Sequence, residues 1–194
     1  ADHADPDTGI LEALITREVR MPDEFRALMS RVPTSVVVAA ALVDDQPIGM
    51  MLGTFTSVSL DPRLVGFFGD LRSRTFGLLV RQPRLAFSVL AQEHYPEVTD
   101  AFRRVAEHRF DGVSWHLSPS GLPRLDGSVL FVEGPIVGTG AAGDHLVVHV
   151  DPDVVEQGTA DAPLVFYRGL MMTIESARVR QPVWQLGSID WDAG

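Results

Sequence analysis

Apolar residues at Ile10, Leu11, Leu14, Ile15, Val19, Phe25, Leu28 and Met29 recur at three- and four-residue intervals, which predicts helix across residues 10–31. Asp23 and Glu24 follow Pro22, so a second helix is expected to begin there. From residue 35 the period shortens to that of strands. Residues 35–43 are rich in β-branched residues and alanine, 44–47 read as a turn, and 48–55 return as the hairpin partner. A short buried strand is expected at 64–68, a short helix at 75–81 and a further strand at 84–90. Charges alternating with Val98, Phe102, Val105 and Ala106 predict an amphipathic helix over 93–108 that caps the sheet. A polar excursion follows at 110–123, then strands at 128–137 and 145–154 joined through 138–144, and a last short strand at 164–167. Many short strands, few helices and no repeat predict a mainly β fold with peripheral helices, a closed barrel in preference to a βαβ sheet. No glycine-rich turn opens a helix after a strand, so the dinucleotide fingerprint is missing.

A chain of 194 residues suits one well-filled core. The expected organisation is a lead and helix at 1–21, one domain at 22–175, and a tail at 176–194. In that tail Val179, Val183, Trp184, Leu186 and Ile189 are apolar enough to pack on the barrel or on a partner subunit. No apolar run approaches the roughly 18 residues that cross a bilayer, and the opening residues are acidic and polar, unlike a secretory signal. A cytoplasmic protein without membrane association is expected. The formal net charge of −10 argues against nucleic-acid binding, and the absence of cysteine excludes disulfides, thiolate metal sites and thiol nucleophiles. All 16 basic residues are arginine, which removes lysine Schiff-base chemistry and makes arginine the partner of any anionic ligand.

Residues 49–65, GMMLGTFTSVSLDPRLV, run from an apolar strand into a cluster of Gly, Ser and Thr. Met50, Met51 and Leu52 can pack a flat surface. Gly53, Thr54, Thr56, Ser57 and Ser59, with Val58 among them, offer hydroxyls and backbone N–H groups to anionic oxygens. A planar ring with a phosphate, as in flavin mononucleotide, has both ends; a strand and a polar connection without ligand fit the same residues. Ser73, Arg74 and Thr75 combine hydroxyls, free N–H groups and a cation at the start of a short helix, and equally suit a plain N-cap. His145 and His149 lie four residues apart on a strand, about 13 Å at 3.3 Å per residue, so they cannot chelate one ion, and no metal site is expected. Ser35 and Ser57 lack a nucleophile elbow. His94 and His108 fall on the amphipathic stretch and are expected to be exposed or interfacial. Arg168 either meets a phosphate or carboxylate or closes a strand through a surface ion pair.

Several short blocks, taken in order, resemble the flavin reductase-like family over roughly residues 22–175. They are FRALMSRVPTSV from Phe25, GMMLGTFTSVSLDP from Gly49, SRT from Ser73, RLAFSVLAQEH from Arg84, RFDGVSW from Arg109, GDH from Gly143 and PLVFYRG from Pro163. The resemblance implies an FMN-binding split β-barrel that is homodimeric, with each ligand site at the subunit interface. It also implies that Met50 to Ser59 line the isoalloxazine and ribityl chain, that Ser73, Arg74 and Thr75 help hold the phosphate, and that His145 orients the reductant. FMN or FAD would be the cofactor, NADH or NADPH the co-substrate, and a flavin-dependent monooxygenase the partner.

The chain departs from that family's usual pattern at Ser35, Met51, Gly53, Ser88, His94 and His149. Each change is expected to remove a hydrogen-bonding group or add bulk near the flavin or nicotinamide. The resemblance makes an NAD(P)H-dependent flavin reductase the leading expectation. Beside it stand a flavoprotein acting directly on a small organic substrate, and a flavin-free split-barrel dimer serving as a carrier.

Overall fold

The computed structural model describes residues 23–174. A short helix at 23–29 (α1) leads into β1 (Thr34–Ser35) and the hairpin of β2 (Val37–Val43) and β3 (Gln46–Leu52). Asp44 and Asp45 both take positive φ, at 50° and 60°, which a two-residue hairpin turn requires and aspartate tolerates. The turn is thus tighter than the sequence pattern predicts, and Pro47 falls inside β3. That is tolerated because β3 is an end strand.

The main sheet runs β3-β2-β6-β9-β10-β5-β4, with β6 at Arg84–Val89, β9 at Leu130–Ala142, β10 at His145–Val150, β5 at Arg63–Asp70 and β4 at Thr56–Leu60. Every pairing in it is antiparallel. β9 carries the sheet across its middle: residues 130–135 pair with β6, and most of the remainder pairs with β10. Its first four residues also pair with β11 (Val154–Gln157). The sheet does not close: β3 and β4 lie at its two ends, although only residues 53–55 separate them in the chain. The closed barrel expected from the strand pattern is thereby corrected to a split one. Strand periodicity reports which residues face inward, and it says nothing about whether the two edges meet.

One apolar layer fills the barrel, with Val37, Ala39, Phe67, Phe76, Leu85, Phe87, Val132 and Val148 buried in it. Phe55 reaches this interior and lies 4.7 Å from the Phe87 ring, pinning the β3–β4 connection to the core. A second layer on the outer face of β2 joins Val36, Val38 and Ala40 to Leu90, Val98, Phe102, Phe110 and Leu164. The elements over it differ from expectation. The helix predicted at 93–108 is broken into α3 (Glu97–Ala101) and two 3-10 turns, because Pro96 supplies no N–H for a continuous ladder. The polar excursion contains a small hairpin, β7 (Trp115–Leu117) with β8 (Pro123–Leu125), and the expected connection at 138–144 is mostly strand. β12 (Leu164–Tyr167) pairs with β1 and with β13 (Leu170–Thr173). The expected helix at 10–21 and the tail at 176–194, with Trp184 and Trp191, lie outside the described residues.

Candidate functional site

β3 alternates faces. Met50 packs against the barrel interior and Leu52 is buried in it, whereas Met51 belongs to the outer layer. Met50 and Leu52 are thus core residues first, and Met51 and Gly53 carry the strand's outward chemistry. Arg109 donates to the Gly49 carbonyl at 2.9 Å, so the backbone of Gly49, and by the two-residue period that of Met51 and Gly53, points to the strand's outer edge.

Met51 and Gly53 line a pocket of about 180 Å³ with Thr34, Ser35, Phe166 and Met171. A Cβ on Gly53 would sit 2.6 Å from the Thr34 hydroxyl, so a larger residue there would force that side chain to turn. The lining combines two thioethers and an aromatic ring with the hydroxyls of Thr34 and Ser35, a composition suited to the face and rim of a heteroaromatic ring.

Thr54 follows directly. Its hydroxyl accepts from the Phe68 N–H and donates to the Phe68 carbonyl, both at 3.0 Å, and so fastens the β3–β4 connection to β5. Two residues along β5, Asp70 pairs bidentately with Arg72, at 3.0 and 2.7 Å. Those hydrogen bonds hold the Asp70 carboxyl far below the usual carboxylate range. Arg72 lines a second pocket, of about 320 Å³, with Leu71, Ser73, Arg74, Gly77, Leu78 and Arg81.

The short helix α2 (Arg74–Leu79) forms one wall of this pocket. Ser73 caps it, its hydroxyl accepting from the Phe76 N–H at 3.2 Å. Thr75 is buried and accepts from Arg109 at 3.3 Å. Ser73 and Thr75 therefore organise the helix start, and Arg74, which is exposed, is the member of the trio free to reach a ligand. Arg109 also donates to the Arg104 carbonyl. Burial draws its pKa down, against the opposing charge of Glu107, and its hydrogen-bond partners among the described residues are uncharged. Nothing in the spacing of residues marks Arg109 for this role.

The Gly143-Asp144-His145 turn abuts the same corner. His145 lies opposite Asp70 in the β5–β10 pairing, and the Leu71 N–H donates to the Asp144 carbonyl at 3.1 Å. Asp144 sits 2.7 Å from His145 Nδ1, a bond that lowers the Asp144 pKa and fixes the Nδ1 proton, leaving Nε2 to meet a ligand.

Other expected residues stand apart. Ser57, Val58 and Ser59 lie on β4; Val58 is the extra residue of a bulge, with Ser57 opposite Val65 and Ser59 opposite Leu64. Ser59 is thus about 13 Å along the strand from the level of Thr54. Arg168, at φ 54°, occupies the β12–β13 turn and donates its N–H to the Ser30 carbonyl. It neighbours the Met51 pocket in sequence through Phe166 and Met171, not the arginine pocket.

Two departures near the expected ligand prove to be internal. His94, expected to be exposed or interfacial, is buried: Nδ1 accepts from the Ala91 N–H at 2.9 Å and Nε2 lies 2.8 Å from the Asp126 carbonyl. Ala91 N–H can only donate and the Asp126 carbonyl can only accept, which fixes the neutral Nε2–H tautomer. Ser88 is buried and accepts from the Leu125 N–H at 3.2 Å, holding β8 to the outer face. His149 is half-buried on β10, beside the glycines at 66 and 138.

Comparison with known proteins now bears on this geometry. The model of the flavin reductase like domain matches residues 29–175. The chain belongs to the flavin reductase-like family. It is 33% identical over 158 residues to a flavin reductase of Pseudomonas putida, covering 81% of this chain and 92% of that one. It is 28% identical to the reductase subunit HsaB of a flavin-dependent monooxygenase from Mycobacterium tuberculosis, covering 84% and 88%. Among solved structures, nitrilotriacetate monooxygenase component B from Mycobacterium thermoresistibile superposes with a TM-score of 0.80 at 26% identity, covering 86% of this chain and 94% of that one. This chain carries the split barrel with an apolar pocket at Met51 and Gly53 and an arginine-lined pocket at the start of α2.

Proposed function

We propose that this protein is an NAD(P)H-dependent flavin reductase that supplies reduced FMN or FAD to a flavin-dependent monooxygenase. What supports this reading is a pair of cavities, one lined by Met51, Phe166 and Met171 and the other by Arg72, Arg74 and Arg81, with Thr54, next to Gly53 in the chain, hydrogen-bonded to Phe68 on the strand that leads to Arg72. They fit the two ends of a flavin: the ring against Met51, Phe166 and Met171, and the phosphate at Arg74 beside Ser73. When bound, the flavin supplies the acceptor for hydride from nicotinamide C4. The chain's task is positional. Met51 and the Gly53 backbone set the ring's edge, Thr54 ties the connection between them and β4 to β5, and His145 presents Nε2 to a ligand at the arginine corner. No side chain is required to transfer a proton.

The relatives' names support the same assignment: a flavin reductase in one case and a reductase subunit of a flavin-dependent monooxygenase in the other. A homodimer is part of the proposal. Val58, Leu60, Phe68 and Val137 leave apolar surface exposed on the open half of the sheet, as expected of a face covered by a second copy. A cytoplasmic location completes it; among the described residues, no helix is long and apolar enough to cross a membrane.

The test is turnover. Purified protein with FMN or FAD is expected to oxidise NADH or NADPH well above the rate with free flavin. Oxidation no faster than the protein-free control rejects the assignment.

A further inference from the structure

The arginine pocket is larger and more positive than a single phosphate needs. Arg72, Arg74 and Arg81 all line it, in a chain whose formal net charge is −10. Arg72 is neutralised by its bidentate pair with Asp70. Arg74 and Arg81 form no ion pair among the described residues, although 26 acidic residues are available in the chain. Both are exposed, so the cavity presents two cationic groups to any anion that enters it. Gly77 lines the same cavity, and a Cβ there would meet nothing within 4 Å. Leu71 and Leu78 border the same cavity and are 56% and 37% exposed, which gives a flat aromatic base an apolar edge to lie on.

We infer that this pocket takes the adenosine diphosphate half of a dinucleotide, with Arg74 on the phosphate nearer the flavin and Arg81 on the second. This rests on the flavin reductase reading. Two cofactors carry that chemistry, FAD and the reduced nicotinamide dinucleotide. Arg74 adjoins Ser73 at the flavin's phosphate end, so the occupant is FAD, and the protein prefers FAD to FMN.

The experiment titrates FAD, FMN and ADP into the wild type and into Arg81→Gln, followed by flavin fluorescence. Wild type is expected to bind FAD at least tenfold more tightly than FMN, with ADP displacing FAD and leaving FMN in place. R81Q is expected to weaken FAD about tenfold, as loss of a charge-assisted contact does, and to leave FMN affinity and the KM for NADH within twofold. Equal affinity for both flavins in the wild type, or equal weakening of both in R81Q, overturns the inference while leaving a flavin reductase in place. A raised KM for NADH with unchanged FAD affinity assigns the pocket to the nicotinamide dinucleotide and overturns it likewise. If neither flavin binds, this inference and the functional assignment fall together.

Discussion

His94 shows how a residue chosen for its chemistry can be spent on architecture. Its ring joins the buried Ala91 N–H to the carbonyl of Asp126, an exposed residue. Glutamine offers the same acceptor and donor, so His94→Gln is expected to cost less than about 1 kcal/mol, whereas His94→Leu strands the buried Ala91 N–H and costs about 1–3 kcal/mol. Urea denaturation of the two variants checks the difference. Asp126 makes a related prediction. Its pKa is lowered chiefly by the Ser114 hydroxyl, 2.7 Å away, and further by His116. A folded-state pKa below the ordinary 3.8 means that its contribution is present above that value and is lost as pH falls through the lower one. Ser114→Ala should raise the folded-state value and shift acid unfolding, read by tryptophan fluorescence, to higher pH. At this scale the sequence was legible in kind: Gly53, Thr54 and Arg74 could be singled out because glycine, hydroxyl and guanidinium chemistry is intrinsic to the residue. Burial is not intrinsic, which is why His94 and Ser88 looked like ligand-side changes and Arg109 passed unnoticed.

Among the elements, the strands were more legible than what joins or covers them. β2, β5 and β6 announce themselves through β-branched and aromatic runs that face a packed interior. β4 did not, since TSVSL is polar and sits exposed at a sheet end with a bulge at Val58. Charges can alternate at helical spacing on a capping segment whether or not the backbone is continuous, and Pro96 decides the matter. Close approaches between elements are equally silent in the sequence. A Cβ on Gly158 would fall 1.6 Å from the Ser128 carbonyl oxygen, backbone against backbone, so Gly158→Ala is expected to lower the melting temperature by more than about 10 °C or to abolish soluble expression. Thr54→Val tests the connection between the two cavities. It removes both bonds to Phe68, and isothermal titration should show flavin affinity reduced about tenfold with a stability loss of only about 1–2 kcal/mol.

For the whole molecule, the split in the barrel is functionally apt. A closed barrel would pair β3 with β4 along the backbone edge that Gly49, Met51 and Gly53 present outward; left open, that edge meets Arg109 at Gly49 and borders a pocket at Met51 and Gly53. The apolar residues left exposed on β4 and β5 predict a dimer, and sedimentation should give twice the chain mass, with Leu60→Arg shifting the equilibrium to monomer. The central claim is that the flavin spans the two cavities across Thr54, and crystals soaked with FMN test it most directly. The account predicts density for the ring against Met51 and Phe166 with the phosphate at Arg74 and Ser73. An empty crevice in flavin-loaded crystals, or a flavin bound with its phosphate away from Arg74, would contradict it.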